Sequence, residues 1–320
     1  MKKIILGRTG IEVTELCFGT LPMGPLQKDL SPDAAADIIA YGLKAGINFV
    51  DTAQMYRTYP HIRLAIEKSG ITPVISTKSG AATYSDMQEA VEQAMTELGP
   101  EVNKIDIFLL HAARVSKDVL TEREGALKCL LEYKNKGIIK AVGISTHVVD
   151  VVKAAAVHPQ IDVVFPLLNH TGMGIAGGAY KDMEAAVNLC HKNNKGIFVM
   201  KVLAGGNLVK NYKAAMDYIA EFSSRRFSYS IGMLSKAEVD MNMKYLRGED
   251  ISNELEAPVV TTKNFVVMRV LCIKCGKCVA ACHSDAIHSD EATAALIDQA
   301  KCLKCGYCVT ACPQFAIRMN

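Results

Sequence analysis

The chain has 320 residues, half of them apolar, enough to bury a large core and to carry a small unit beside one main domain. Thirty-six basic residues against 33 acidic ones leave a net charge of +3 with no basic run of five or more, which excludes the electrostatic footprint of a nucleic-acid binder. The first apolar stretch, Ile4-Ile5-Leu6, stops at Gly7-Arg8, and no later run reaches the length of a membrane span, so neither a signal peptide nor a membrane partner is expected. A cytoplasmic setting follows, and there the 11 cysteines read as thiols or metal ligands rather than disulfides.

Residues 3–12, with Gly7-Arg8-Thr9-Gly10 at their centre, predict a hairpin that plugs a barrel floor. Eight short apolar runs follow, at 13–20, 49–53, 74–79, 105–112, 141–146, 163–168, 196–203 and 229–233. Helical patterns separate them, and eight βα units in about 235 residues predict an α/β fold, a (β/α)₈ TIM barrel. Helix starts are expected at Ser31-Pro32 and at the capping-box pairs Ser85/Gln88, Thr121/Glu124 and Ser235/Glu238, and stops at Gly46, Gly99-Pro100, Gly137 and Gly196. Met87, Ala90, Val91, Ala94 and Leu98 share one helical face that must pack on the sheet.

Polar residues end several of these runs, where TIM barrels build their active sites. Asp51 closes the second run with Tyr56 beyond it, Lys78 closes the third and His111 the fourth. Such side chains at the end of an apolar strand are costly unless paired. Four of them around one barrel mouth suggest chemistry; a salt-bridged Asp51–Lys78 pair in a barrel without activity is the structural alternative.

From Leu6-Gly7-Arg8-Thr9-Gly10 to about Leu246, including Cys17-Phe18-Gly19-Thr20, Asp51-Thr52-Ala53 with Tyr56, and Gly143-Ile144-Ser145, the sequence closely resembles the aldo/keto reductase family. The resemblance implies a catalytic tetrad of Asp51, Tyr56, Lys78 and His111 that interconverts a small-molecule carbonyl and alcohol. Tyr56 would donate the proton, Lys78 would be the cation that lowers its pKa, Asp51 would hold Lys78, and His111 would bind the carbonyl oxygen. It implies NADP or NAD across the barrel top, with Ser145 and Asn169 near the carboxamide and Met200 on the nicotinamide face. Leu203, Gly205 and Gly206 would meet the pyrophosphate, and Gly232 and Asn242 would lie along the groove. Departures are Thr146 after Ser145, Phe165 on strand six, and a strand-eight segment without the Lys-Ser and Arg that clamp a 2′-phosphate. Glu238 would repel that phosphate, with Arg225 or Arg226 in compensation.

Residues 1–250 are thus expected to form the barrel and the aperiodic stretch 251–264 a linker. Residues 265–320 are expected to form a small α+β ferredoxin-like unit. Within it the run from Cys272 to Cys282 recurs thirty residues on, from Cys302 to Cys312. Each copy has the Cys-x₂-Cys-x₂-Cys-x₃-Cys spacing of bacterial ferredoxins, whose fourth cysteine ligates the other cluster. Cys272, Cys275, Cys278 and Cys312 are then expected to hold one [4Fe–4S] cluster, and Cys302, Cys305, Cys308 and Cys282 a second. A pair of structural zinc sites is the bland alternative. His283 stands where the first copy would usually have proline.

The leading expectation is a reductase whose tail exchanges electrons with a redox partner protein. Hydride transfer moves two electrons and a [4Fe–4S] cluster one, and no flavin motif bridges that difference. An electron carrier or redox sensor, with the barrel as docking body, is the competing reading, and purely structural clusters a third.

Overall fold

The computed structural model describes the whole chain except residues 114, 225, 253–263, 291, 315 and 320. Most of the expected linker therefore lies outside the described residues, as does Arg225.

Eight parallel strands close into a barrel: β1 (Leu16–Gly19), β2 (Phe49–Asp51), β3 (Val74–Ser79), β4 (Ile105–Ala112), β5 (Ile139–Thr146), β6 (Val163–Pro166), β7 (Gly196–Val199) and β8 (Ser228–Gly232). Closure runs through β8 and β1, with Tyr229 opposite Leu16 and Gly232 opposite Gly19. The fold class expected from the repeated βα pattern is the one observed.

The apolar run at 13–20 splits in two. Glu12–Thr14 pairs antiparallel with Lys3–Ile5, and only Leu16–Gly19 joins the barrel. The cause is at Glu15, whose amide donates to Lys2 and whose carbonyl accepts from Tyr229, so the chain changes partner within one residue. The hairpin is the expected plug. Its Ile4, Leu6, Ile11 and Val13 bury against Cys17, Phe49, Ile107, Leu109 and Phe198 in the barrel lumen.

Helices cover the outside and bury a second, larger layer against the strands. The helix Tyr84–Leu98 turns Met87, Ala90, Val91, Ala94 and Leu98 inward as its periodicity requires, though its cap is Thr83, two residues before the expected Ser85. Ser31 and Ser235 cap as expected, accepting from Ala34 and Glu238 amides. The Thr121 start fails, because Arg123 breaks that segment into Val119–Glu122 and Glu124–Asn135 and spends its guanidinium on the His111 carbonyl at 3.0 Å. Gly196 opens β7 and is no helix stop; the preceding helix ends at Lys192.

The C-terminal unit is a small α+β layer. Phe265–Val267 pairs with Ile317–Met319 and Ile287–His288 with Leu296–Ile297, both antiparallel. Short helices, Lys277–Ala280 and Tyr307–Ala311, follow the two cysteine loops. This unit sits on the C-terminal mouth of the barrel. Leu303 is buried among Leu167, Ala204, Leu208 and Ala215, and the Asn207 side chain donates to the Cys302 carbonyl at 2.6 Å.

Candidate active site and cluster loops

The pairing of β2 with β3 brings Asp51 beside Lys78 at the barrel mouth. The Lys78 ammonium donates to both Asp51 oxygens, at 2.9 and 2.7 Å, and to the Thr52 carbonyl at 2.7 Å. Both side chains are nearly inaccessible, at 1% and 6% exposure. Burial dominates each: it lowers the Lys78 pKa and raises that of Asp51, each partly offset by the partner's charge. Three acceptors use the three donors of the ammonium.

Lys78 Nζ lies over the Tyr56 ring, 4.8 Å from its centre. The ammonium thus stands beside the phenol, as expected of the cation that assists it. Burial pushes the Tyr56 phenol well above its ordinary value, and the neighbouring Tyr307 and Asp51 push it further. Tyr56 is therefore protonated, and able to donate, at neutral pH. His111, with its ring edge-on to Tyr56 at 5.9 Å, is held well below the ordinary histidine range by burial and by the positive charges of Lys78 and its neighbours. It is a neutral imidazole near pH 7.

A cleft of about 230 Å³ opens beside this group. Of the residues expected to bind a nicotinamide, Met200, Leu203, Gly205, Gly206, Gly232 and Asn242 line it, as do Asp51, Tyr56 and Phe165. Ser145 lies buried on β5, and among the described residues nothing hydrogen-bonds its hydroxyl. The orphaned Ser145 hydroxyl fits a bound carboxamide, and Gly206, with no atom within 4 Å of where a Cβ would stand, leaves room for a pyrophosphate, whereas the same space at Gly205 is filled by the Leu303 carbonyl. Asn169 is spent elsewhere: its amide donates to the Met173 and Lys201 carbonyls and accepts from Thr171 and Met173, pinning the loop after β6. Arg226 is likewise tied to Phe222 and Ser223 carbonyls and does not line the cleft. Glu238 does line it, with one carboxylate oxygen accepting from the Leu234 amide at 2.7 Å.

The two cysteine loops share one backbone design. Lys274 and Gly276 in the first, Lys304 and Gly306 in the second, all adopt positive φ, which turns successive cysteines toward one centre. Cys272, Cys275, Cys278 and Cys312 line one small cavity. Cys308 lies within electrostatic range of Cys305, Cys302 and Cys282. Cys278 of the other group is also within that range, and the first cavity takes its fourth cysteine, Cys312, from the second run. Backbone amides of Ala286, Lys304 and Ala316 point at the sulfurs of Cys282, Cys302 and Cys312 at 3.3 to 3.4 Å, the donor pattern that stabilises cluster thiolates. Among the described residues no three His, Cys, Asp or Glu side chains converge on a single-ion site. A cubane takes each thiolate at a separate iron, and the four cysteines around one cavity with backbone amides aimed at the sulfurs fit that group.

Sequence reasoning missed the residues that the second loop adds to the barrel. Leu303, Lys304 and Cys305 line the same cleft as Asp51 and Tyr56. The Tyr307 hydroxyl lies 3.0 Å from His111 Nε2 and hydrogen-bonds with Tyr56. One signal was available: the repeats differ where the first has Gly276-Lys277 and the second Gly306-Tyr307. Lys277 is exposed, whereas Tyr307 is buried.

A closed barrel with a buried Asp–Lys pair, a tyrosine and a histidine at its mouth, capped by a cysteine-loop unit, defines a barrel of the reductase type with a ferredoxin-like appendage. Residues 15–250 match the aldo/keto reductase family and residues 271–319 a 4Fe-4S dicluster domain. The chain belongs to the aldo/keto reductase family. It is 31% identical over 150 residues to the NADPH-dependent alpha-keto amide reductase of Saccharomyces cerevisiae, covering 43% of this chain and 47% of that one. It is 25% identical over 168 residues to the uncharacterized oxidoreductase YqkF of Bacillus subtilis, covering 48% and 51%. The chain thus spans about half the length of these curated relatives. Among solved structures, aldo-keto reductase AKR11C1 from Bacillus halodurans superposes with a TM-score of 0.63 at 18% identity, covering 81% of this chain and 95% of that one. No helix among the described residues is long and apolar enough to cross a membrane.

Proposed function

We propose that this protein is an NAD(P)H-dependent reductase that interconverts a carbonyl and an alcohol, and that its two [4Fe–4S] clusters exchange single electrons with a redox partner. In this reading residues 1–250 are the catalytic barrel, 251–264 the linker and 265–320 the cluster unit. The observation that carries it is the buried Lys78–Asp51 pair set against Tyr56, with His111 alongside and a glycine-lined cleft beside them. A scaffold has no use for so costly a buried pair.

Bound in the cleft, a nicotinamide supplies hydride to the carbonyl carbon. The chain's own groups handle the oxygen. Tyr56 donates its proton to the forming alkoxide, and a neutral His111 orients that oxygen by a hydrogen bond. Lys78 steadies the Tyr56 ring, and Asp51 keeps Lys78 charged and in place despite burial. The yeast relative's use of NADPH supports that cofactor, while Glu238 at the cleft supports NADH.

Of the two cysteine sets, one places Cys305 on the cleft and the other places Cys275 at the surface. Cys275 is exposed, flanked by Val270 at 90% and Ile273 at 59% exposure and by exposed Arg269, Lys274 and Lys277. That surface suits an acidic one-electron carrier. The test is a steady-state assay of the anaerobic full-length protein with NADH and with NADPH across aldehydes and ketones, before and after the iron is chelated out. Reduction of at least one carbonyl supports the reading; absence of any turnover with either cofactor refutes it.

A further inference from the structure

Tyr307 stands where the first cysteine run has Lys277, and its side chain is buried at the barrel mouth. Its ring packs with Leu26, Ala53, Tyr56 and Ala113. The ring also meets His111 edge-on at 6.0 Å and His283 at 4.7 Å, and Lys201 Nζ lies 5.8 Å from its centre. Its hydroxyl stands 3.0 Å from His111 Nε2 and hydrogen-bonds with Tyr56. Those two groups are the pair that, under the reductase reading, must contact the oxygen of a reacting carbonyl.

The placement is built in. A Cβ on Gly306 would lie 2.2 Å from the Leu26 carbonyl oxygen, so glycine there lets the loop press onto the barrel and aim the next residue inward. Leu303 is held the same way: a Cβ on Gly174 would lie 2.3 Å from its side chain and one on Gly205 1.7 Å from its carbonyl oxygen. Three glycines from separate segments thus make room for one loop, and Asn207 ties its Cys302 carbonyl.

We infer that Tyr307 is a specificity-determining residue whose hydroxyl is the resident occupant of the reacting-oxygen site, and that a carbonyl reaches Tyr56 and His111 only by displacing it. This rests on the reductase reading for the identity of the displaced oxygen, but the occupancy itself does not require turnover. Only the fraction of molecules with Tyr307 withdrawn binds substrate, so the apparent affinity for a carbonyl is reduced by that fraction. The slot Tyr307 fills is flat, walled by Leu26, Ala53 and Ala113, and shaped to an aromatic ring bearing an oxygen. Aryl aldehydes and aryl ketones are the class that fits it once the phenol has moved.

The test uses the full-length protein purified without air, with iron and sulfide content checked for each variant. Tyr307→Phe keeps the ring and removes the competing hydroxyl. Its KM for an aryl aldehyde should fall about 2- to 10-fold, the scale of net hydrogen bonds no longer broken, with kcat little changed. Tyr307→Ala empties the slot, and titration calorimetry should then show p-cresol binding to the variant and not to the parent protein. Should the alanine variant lose its iron, Tyr307→Leu takes its place in the same titration. The inference is overturned if p-cresol binds neither variant while the iron is retained, or if Tyr307→Phe loses kcat by a hundredfold or more at unchanged KM, which would make Tyr307 a proton donor. Binding of p-cresol to the emptied variant with no carbonyl turnover by any form would sink the reductase reading and leave the occupancy standing.

Discussion

The carbonyl oxygen of Leu303 rests against the α-carbon of Gly205, so close that a Cβ there would lie 1.7 Å from it. One residue belongs to the loop after β7 that lines the cleft, the other to the loop between two cluster cysteines. Cleft and cluster loop therefore form one packed surface.

Gly205→Ala should separate them. Gly205 sits at φ +68°, which an alanine adopts only under strain, and the clash falls on backbone, which cannot rotate away. The variant should keep its iron, lose NAD(P)H affinity by about tenfold or more, equivalent to about 1.4 kcal/mol, and release the C-terminal unit faster on limited proteolysis. Fluorescence titration of the nicotinamide checks the first effect and gel analysis the second.

Tyr56→Phe keeps the ring over Lys78 and removes only the donor. Carbonyl reduction should drop by roughly 10²–10⁴-fold in kcat, with nicotinamide affinity nearly unchanged. Because burial holds the Tyr56 phenol well above its ordinary value, the parent enzyme's kcat should show no alkaline decline from tyrosine ionisation near pH 10. A loss centred there would show that the phenol titrates normally.

Lys78→Met leaves Asp51 buried without its cation, at a cost of about 3–5 kcal/mol for a broken buried pair. The Asp51 pKa, already raised by burial, rises further once Lys78 no longer opposes it. A folded-state pKa above the unfolded one means the native state holds the extra proton in that window. The variant should therefore regain stability relative to the parent as the pH falls from 8 toward 5.5. Asp51→Asn/Lys78→Met should be more stable than Lys78→Met at pH 8. Urea unfolding at both pH values decides it, and equal single- and double-mutant stabilities would remove the pair's electrostatic role.

His111 predicts the opposite slope. Its folded pKa lies well below the unfolded value of about 6.5. Between those two values the unfolded chain binds more protons, so this contribution is whole above pH 6.5 and is lost as the pH falls through the window. His111→Gln should remove it. The parent should lose more Tm than the variant between pH 7.5 and 5.5, and parallel losses would place the His111 pKa at its ordinary value.

The anaerobic protein should contain about eight iron and eight sulfide per chain, as two cubanes require. Cys282→Ser and Cys312→Ser should each disturb the cluster held mainly by the opposite run, visible as loss of one set of paramagnetic signals on reduction. Stoichiometric zinc without sulfide would contradict the cluster assignment.

Much of this was written in local sequence. The alternation of β-branched runs with helical faces specifies a barrel because period and length are properties of neighbours along the chain. Asp51, Lys78 and His111 were legible because each ends its strand, and in a parallel barrel all strand ends meet at one mouth. The cysteines were legible because their ligand spacing is itself local. What only the tertiary structure decided are the contacts between distant segments. His111 and Tyr307 are 196 residues apart, and no periodicity links them. Asn169 turned to the backbone of Met173 and Lys201 because a side-chain amide bonds the backbone groups that folding brings beside it. That Asp51 and Thr52 together take all three donors of Lys78, beside the Tyr56 ring, is a matter of tertiary packing. The docking of the cluster loop on Gly205 was likewise beyond the sequence. A glycine states that room exists, and only the folded chain shows what fills it.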